Sequence, residues 1–104
     1  MLWFEDVSKR QVRFSDERRQ HIESDHPEMA GQASKLKETI SSPDVIIRSK
    51  TDSEVELFYR RYSTTPVTDK YLCVVIKSKL EDVFIITAYF TDSIKRGQTI
   101  WEKK

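Results

Sequence analysis

Asp82-Val83-Phe84-Ile85-Ile86-Thr87-Ala88-Tyr89-Phe90-Thr91-Asp92 is the longest apolar run in the chain. β-Branched and aromatic residues dominate it and an aspartate bounds each end, which is the pattern of a buried strand. Side chains of a strand alternate between its two faces. Phe84, Ile86, Ala88 and Phe90 then form an apolar face for a core. Val83, Ile85, Thr87 and Tyr89 form the other, which ends in two hydroxyls. A central strand with polar groups on one face is a place to build a site, although threonine and tyrosine are also ordinary strand residues.

Outward from this stretch the period stays strand-like. Residues 45–47, 54–62, 71–77 and 83–90 read as four strands separated by short connections, one of which holds Pro66. Such connections imply an antiparallel meander. Residues 94–102 can add an edge strand around Ile100 and Trp101 after a turn at Gly97. Upstream, residues 1–5 can add another edge, and residues 11–14 read as a short strand. Ser15 is a helix N-cap, and Asp16 and Glu17 suit the first turn of a helix over residues 16–25. Pro27 ends that helix and opens a second over residues 27–40, with Met29, Ala33, Leu36 and Ile40 on one face. The expected fold is α+β: N-terminal helices packed on one face of a roughly four-stranded antiparallel sheet. Leu72, Val74 and Ile76, with Val55, Leu57 and Tyr59, are expected beneath the helices. Glu56, Phe58, Arg60 and Tyr62 are expected on the open face beside Tyr71, Cys73, Val75 and Lys77, and a one-residue register change exchanges Arg60 for Arg61.

With 104 residues, the chain is expected to form one domain, residues 1–104. It is 38% hydrophobic and 34% charged, the composition of a globular chain with a charged surface. Eighteen basic and 17 acidic residues leave a net charge of +1, so any nucleic-acid contact has to come from a local patch. Cys73 is the sole cysteine, which excludes an internal disulfide, fits a cytoplasmic setting and reads best as a small buried hydrophobe. Residues 1–6 have no basic leader and no run approaches a membrane span, so neither signal peptide nor membrane partner is expected. With two glycines there is no Gly-rich phosphate loop.

His21 and His26 are five apart, which does not match the i, i+4 spacing of helical zinc ligands, and no third ligand cluster accompanies them, so no metal is expected. His21 is a candidate proton-transfer group, because Asp25 one turn on can accept a hydrogen bond from its ring. As plainly, it can be a surface residue of a charged helix. Arg60, Arg61 and Lys77, with Lys95 and Arg96 beyond the central strand, lie among Phe58, Tyr59, Tyr62, Tyr71 and Tyr89. Cations with interleaved rings suit single-stranded nucleic acid, since charges hold phosphates and rings stack bases.

Val12-Arg13-Phe14-Ser15 leads into Arg18, His21-Ile22 and His26-Pro27-Glu28-Met29. Thr39-Ile40, Pro43-Asp44-Val45-Ile46, Phe58-Tyr59-Arg60-Arg61-Tyr62 and Tyr71-Leu72-Cys73-Val74-Val75-Ile76-Lys77 follow in order. Ile86-Thr87-Ala88-Tyr89, Ile94-Lys95, Gly97 and Ile100-Trp101 close the pattern. In this order the segments resemble the phage-associated branch of the barnase–EndoU–colicin–RelE-like nuclease superfamily. The resemblance implies helices followed by a four-stranded antiparallel sheet and a metal-independent endoribonuclease, often a toxin or phage effector, with no cofactor. It picks out His21, Arg60, Thr87 and Tyr89 as catalytic residues. Arg61, Lys77, Lys95 and His26 are then candidates for binding substrate. RNA, with tRNA one structured candidate, and an inhibitor or antitoxin protein are the expected partners. The alternative is a non-catalytic RNA- or protein-binding module on the same fold.

Overall fold

The computed structural model describes residues 1–63 and 69–104. The loop expected around Pro66 lies in part outside the described residues. The chain runs β1 (Leu2–Glu5), β2 (Gln11–Phe14), α1 (Asp16–Asp25), a 3₁₀ turn (Pro27–Met29), α2 (Ala33–Ser41), β3 (Val45–Arg48), β4 (Val55–Tyr62), β5 (Lys70–Ser78), β6 (Val83–Thr91) and β7 (Gln98–Glu102). The fold is α+β, but the sheet has seven strands rather than four, in the order β1-β2-β6-β5-β4-β3-β7. It is also mixed: β2 pairs with β6 in parallel through Val12–Val83 and Arg13–Phe84, while every other pairing is antiparallel.

Local chemistry explains the helices. The Ser15 hydroxyl accepts the Arg18 N–H at 3.1 Å and caps α1, which buries only Ile22. His26 ends α1 because it precedes Pro27. The expected single helix over residues 27–40 is divided. Gly31 has a φ of +77°, a left-handed conformation that no helix continues through, and α2 restarts two residues later. Met29, Leu36 and Ile40 still reach the core, together with Thr39, whose hydroxyl donates to the Lys35 carbonyl at 2.8 Å.

The sheet carries two cores. Under the helices lie Phe14, Ile22, Met29, Leu36, Ile40, Phe58, Leu72, Val74, Ile76, Ile85 and Ala88. On the far face lie Val45, Ile47, Leu57, Tyr59, Cys73 and Val75. β4 is therefore reversed from expectation: Phe58 faces the helices, and Leu57 and Tyr59 face away. β6 is reversed over half its length. Its register with β5 shifts between Val75–Thr87 and Ile76–Ile85, leaving Ile86 as an unpaired bulge. Ala88 keeps the expected helix-side position, but Ile85 takes the place expected for Ile86.

The far face is covered because of the connection from β6 to β7. These strands stand four places apart, about 19 Å. Residues 92–97 span that gap, and because Thr91 is level with Arg61 while Gln98 is level with Glu56, the segment crosses the sheet diagonally. The Lys95 N–H donates to the Tyr59 hydroxyl at 3.1 Å on the way. At the far end a Cβ on Gly97 would lie 2.5 Å from the Arg48 carbonyl oxygen and 2.6 Å from Ile47 Cγ2, so only glycine lets the strap press onto β3. No helix among the described residues is long and apolar enough to cross a membrane.

Candidate functional site

The pairing places the polar residues of the far face in rows. Arg61, Tyr71 and Thr91 form one, Tyr59, Cys73 and Tyr89 the next, and Leu57, Val75 and Thr87 the third. The bulge at Ile86 is what puts Thr87 and Tyr89 on this face while Ile85 enters the helix-side core. Tyr59 and Tyr71 meet edge to face with ring centroids 6.3 Å apart, and the Arg61 guanidinium carbon lies 5.2 Å from the Tyr71 ring centroid.

At the β6 border the face meets the end of α1. His26 closes that helix through its backbone N–H, which donates to the Ile22 carbonyl at 2.7 Å. Its ring lies against Tyr89 with centroids 5.7 Å apart, and its Nδ1 is 3.7 Å from a Glu28 carboxylate oxygen. The aromatic row behind it is held neutral. Burial pushes the Cys73 thiol up to about 11, against the opposing pull of the Tyr89 and Tyr59 hydroxyls. Burial likewise pushes the Tyr59 phenol up to about 12 and raises that of Tyr89 further, with the neighbouring thiol adding to both. At neutral pH Tyr89 is therefore a hydrogen-bond donor and not a base. The free thiol is buried beneath it.

The structure brings Thr87, Tyr89 and His26 to one border and adds Arg61 and Lys95 on the same face. It does not bring Arg60 there. Arg60 pairs with Leu72 on the helix side, donates to the Ser42 carbonyl at 2.6 Å and has its Nε 3.5 Å from a Glu38 oxygen. Lys77 is on the far face but is held by Asp52 at 2.6 Å and Glu54 at 3.5 Å. That contact raises Lys77 above the usual lysine value and lowers Asp52 below the usual carboxylate value. His21 is exposed on α1, and among the described residues no hydrogen bond joins it to Asp25. Arg18, one turn before it, lines a pocket of about 300 Å³ with Arg13, Ser15, Glu17, Phe84 and Ile85. Among the described residues no three His, Cys, Asp or Glu side chains form a group that could hold a metal ion.

The Tyr59–Cys73 pair and the basic strap over it are what the sequence reading missed. Their signal was Gly97 directly after Lys95-Arg96, a glycine where a cationic segment must lie close to the sheet.

Residues 2–104 match the family model of the phage-Barnase-EndoU-ColicinE5/D-RelE like nuclease 2. The chain belongs to this nuclease-like family. The match spans all the strands and both helices, so the far face and its border are part of the family domain and not an insertion. No curated protein and no solved structure matches the chain.

Proposed function

We propose that this domain is a metal-independent endoribonuclease whose site is the border of the far face at His26, Thr87 and Tyr89, with His21 on the adjoining helix. The observation that carries the reading is the imidazole of His26 set against Tyr89, on the face where Thr87 and Arg61 also stand. In the reaction the RNA 2′-oxygen attacks the adjacent phosphorus, the bond to the 5′-oxygen breaks, and a 2′,3′-cyclic phosphate and a 5′-hydroxyl are left. One group removes the 2′-hydroxyl proton and another protonates the departing 5′-oxygen. Imidazoles suit both tasks because they gain and lose a proton near neutrality. His21 and His26 take these two roles. The Tyr89 phenol and the Thr87 hydroxyl donate hydrogen bonds to the phosphate oxygens, where charge builds up. Arg61 supplies the cation that the resemblance assigned to Arg60, because its guanidinium is on this face and has no carboxylate partner among the described residues.

RNA is the substrate class, tRNA being one structured candidate. A protein that covers the far face would act as an inhibitor, and the cytoplasm is the compartment where both would meet the domain. The test is cleavage of total cellular RNA in excess EDTA, with product ends analysed. Wild type is expected to cut and leave cyclic phosphate, and His21→Ala or His26→Ala to slow cleavage by about 10²-fold or more. Folded wild type that cuts no RNA class would instead make the domain a binding module.

A further inference from the structure

Across the far face from the His26–Tyr89 border, the strap and the β3–β4 turn enclose a second, basic pocket. It has a volume of about 360 Å³ and is lined by Ser49, Lys50, Thr51, Leu57, Lys95 and Arg96. Three of these six residues are cations. The turn sorts its charges, because Asp52 and Glu54 are both directed to Lys77 on β5. Lys50, Lys95 and Arg96 are left without a carboxylate within ion-pair distance among the described residues. The Ser49 and Thr51 hydroxyls are hydrogen-bonded to each other at 3.2 Å beside them, which leaves the pair one hydroxyl proton to donate to an anion.

The pocket is built rather than incidental. Exposed lysines and arginines normally sweep through solvent, yet here the backbone that carries Lys95 and Arg96 is pinned on both sides. The wholly buried Tyr59 accepts the Lys95 N–H on one side. On the other, Gly97 presses against the Arg48 carbonyl where no Cβ fits.

We propose that Ser49, Lys50, Thr51, Lys95 and Arg96 form a subsite for phosphodiester groups of a single-stranded RNA, flanking the strand at the catalytic border. The proposal rests on the far face being the RNA-binding side. Tyr59 is a positioning residue here, since it acts on the strand only through the strap. The near-neutral chain thereby gains a local field that attracts phosphate without a basic surface overall.

The test is equilibrium binding of a short 2′-O-methyl RNA strand, which cannot be cleaved, across a series of salt concentrations. The triple variant Lys50→Gln/Lys95→Gln/Arg96→Gln is compared with wild type and with Lys37→Gln, an exposed lysine on α2. Each phosphate contact contributes about 0.7 to the slope of log affinity against log salt. The triple variant is expected to lose about 2 from that slope and, at 0.1 M salt, roughly 100-fold in affinity. Gly97→Ala removes no charge but lifts the strap, and is expected to weaken binding while its circular dichroism stays that of wild type. Equal affinity and slope in the triple variant and Lys37→Gln would overturn the proposal. So would wild type that binds inorganic phosphate in this pocket but not the strand. A protein that binds through the strap without cutting RNA would lose the reaction and keep this subsite. One that cuts while the triple variant binds normally would lose the subsite and keep the reaction.

Discussion

Arg10 holds two buried carboxylates, and its removal is the sharpest stability test the fold offers. Its Nε donates to Asp6 at 2.7 Å, and one terminal nitrogen donates to Glu56 at 2.7 Å while the other donates to the Ser78 hydroxyl at 2.8 Å. The Asp6 side chain is 0% exposed and that of Glu56 11%. Asp6 also accepts the backbone N–H groups of Ser8 and Arg10, so the same carboxylate shapes the β1–β2 turn. Arg10→Met keeps the aliphatic stem and strands both carboxylates. Breaking such a buried arrangement costs about 3–5 kcal/mol, because the remaining charges lose solvent and partner together. A domain of this size has roughly 5–15 kcal/mol in all. With a urea dependence of about 1.5 kcal/mol per molar, the unfolding midpoint should fall by about 2–3 M. Arg19→Met, which breaks only the exposed Arg19–Glu23 pair, should cost under about 1 kcal/mol. Adding Asp6→Asn and Glu56→Gln to Arg10→Met should recover part of the loss, since no buried charge then remains. An Arg10→Met stability within about 1 kcal/mol of wild type would refute the reasoning.

Lys9 has a φ of +72°. A left-handed non-glycine costs about 1–2 kcal/mol, and the extra chain entropy of glycine about 0.5–1 kcal/mol. Lys9→Gly should therefore raise stability by up to about 1 kcal/mol in urea unfolding, and a lower midpoint would contradict this. Cys73, Tyr59 and Tyr62 have folded values of about 11, 12 and 12, above their ordinary 9, 10 and 10, chiefly through burial. The stability linked to these raised values is whole below about pH 9 and drains as pH rises through 11 to 12. The urea midpoint should therefore decline over that window, and a flat midpoint to pH 12 would refute the burial. The Cys73 thiol should resist a thiol reagent at pH 8 in the native protein and react at once on unfolding. Labelling at the same rate in both states would place the thiol outside the core.

The sequence revealed α1 through its Ser15 cap, acidic first turn and Pro27 stop, and it revealed β3 to β6 and the membership of Leu72, Val74 and Ile76 in the helix-side core through strand-like alternation. It did not reveal the faces of β4. Val55-Glu56-Leu57-Phe58-Tyr59 is apolar on both sides, since the strap covers the face that alternation would leave wet. Glu56, which reads as an exposed residue, is buried because Arg10 reaches it from 46 positions away. β6 misled for another reason: a bulge moves half of a strand to the opposite face, and nothing in a run of isoleucines marks where it falls. The short strands β1, β2 and β7 fall where residues 1–5, 11–14 and 94–102 read as strands, but the parallel β2–β6 pairing joins segments distant in sequence and has no local signature. For the site, Thr87 and Tyr89 were legible as hydroxyls on one face. His26 next to Tyr89 was not, because their contact needs α1 to end beside β6.

The far face is the centre of this account, and adjacent arginines test it directly. The measurement is the RNA cleavage rate in excess EDTA for Arg61→Gln and Arg60→Gln against wild type. Arg61 stands on the face with Tyr89, and Arg60 on the other with Glu38. Loss of about 10-fold or more in Arg61→Gln, with Arg60→Gln near wild type, is the predicted result. The opposite ranking would move the reaction to the helix side of the sheet and contradict the account.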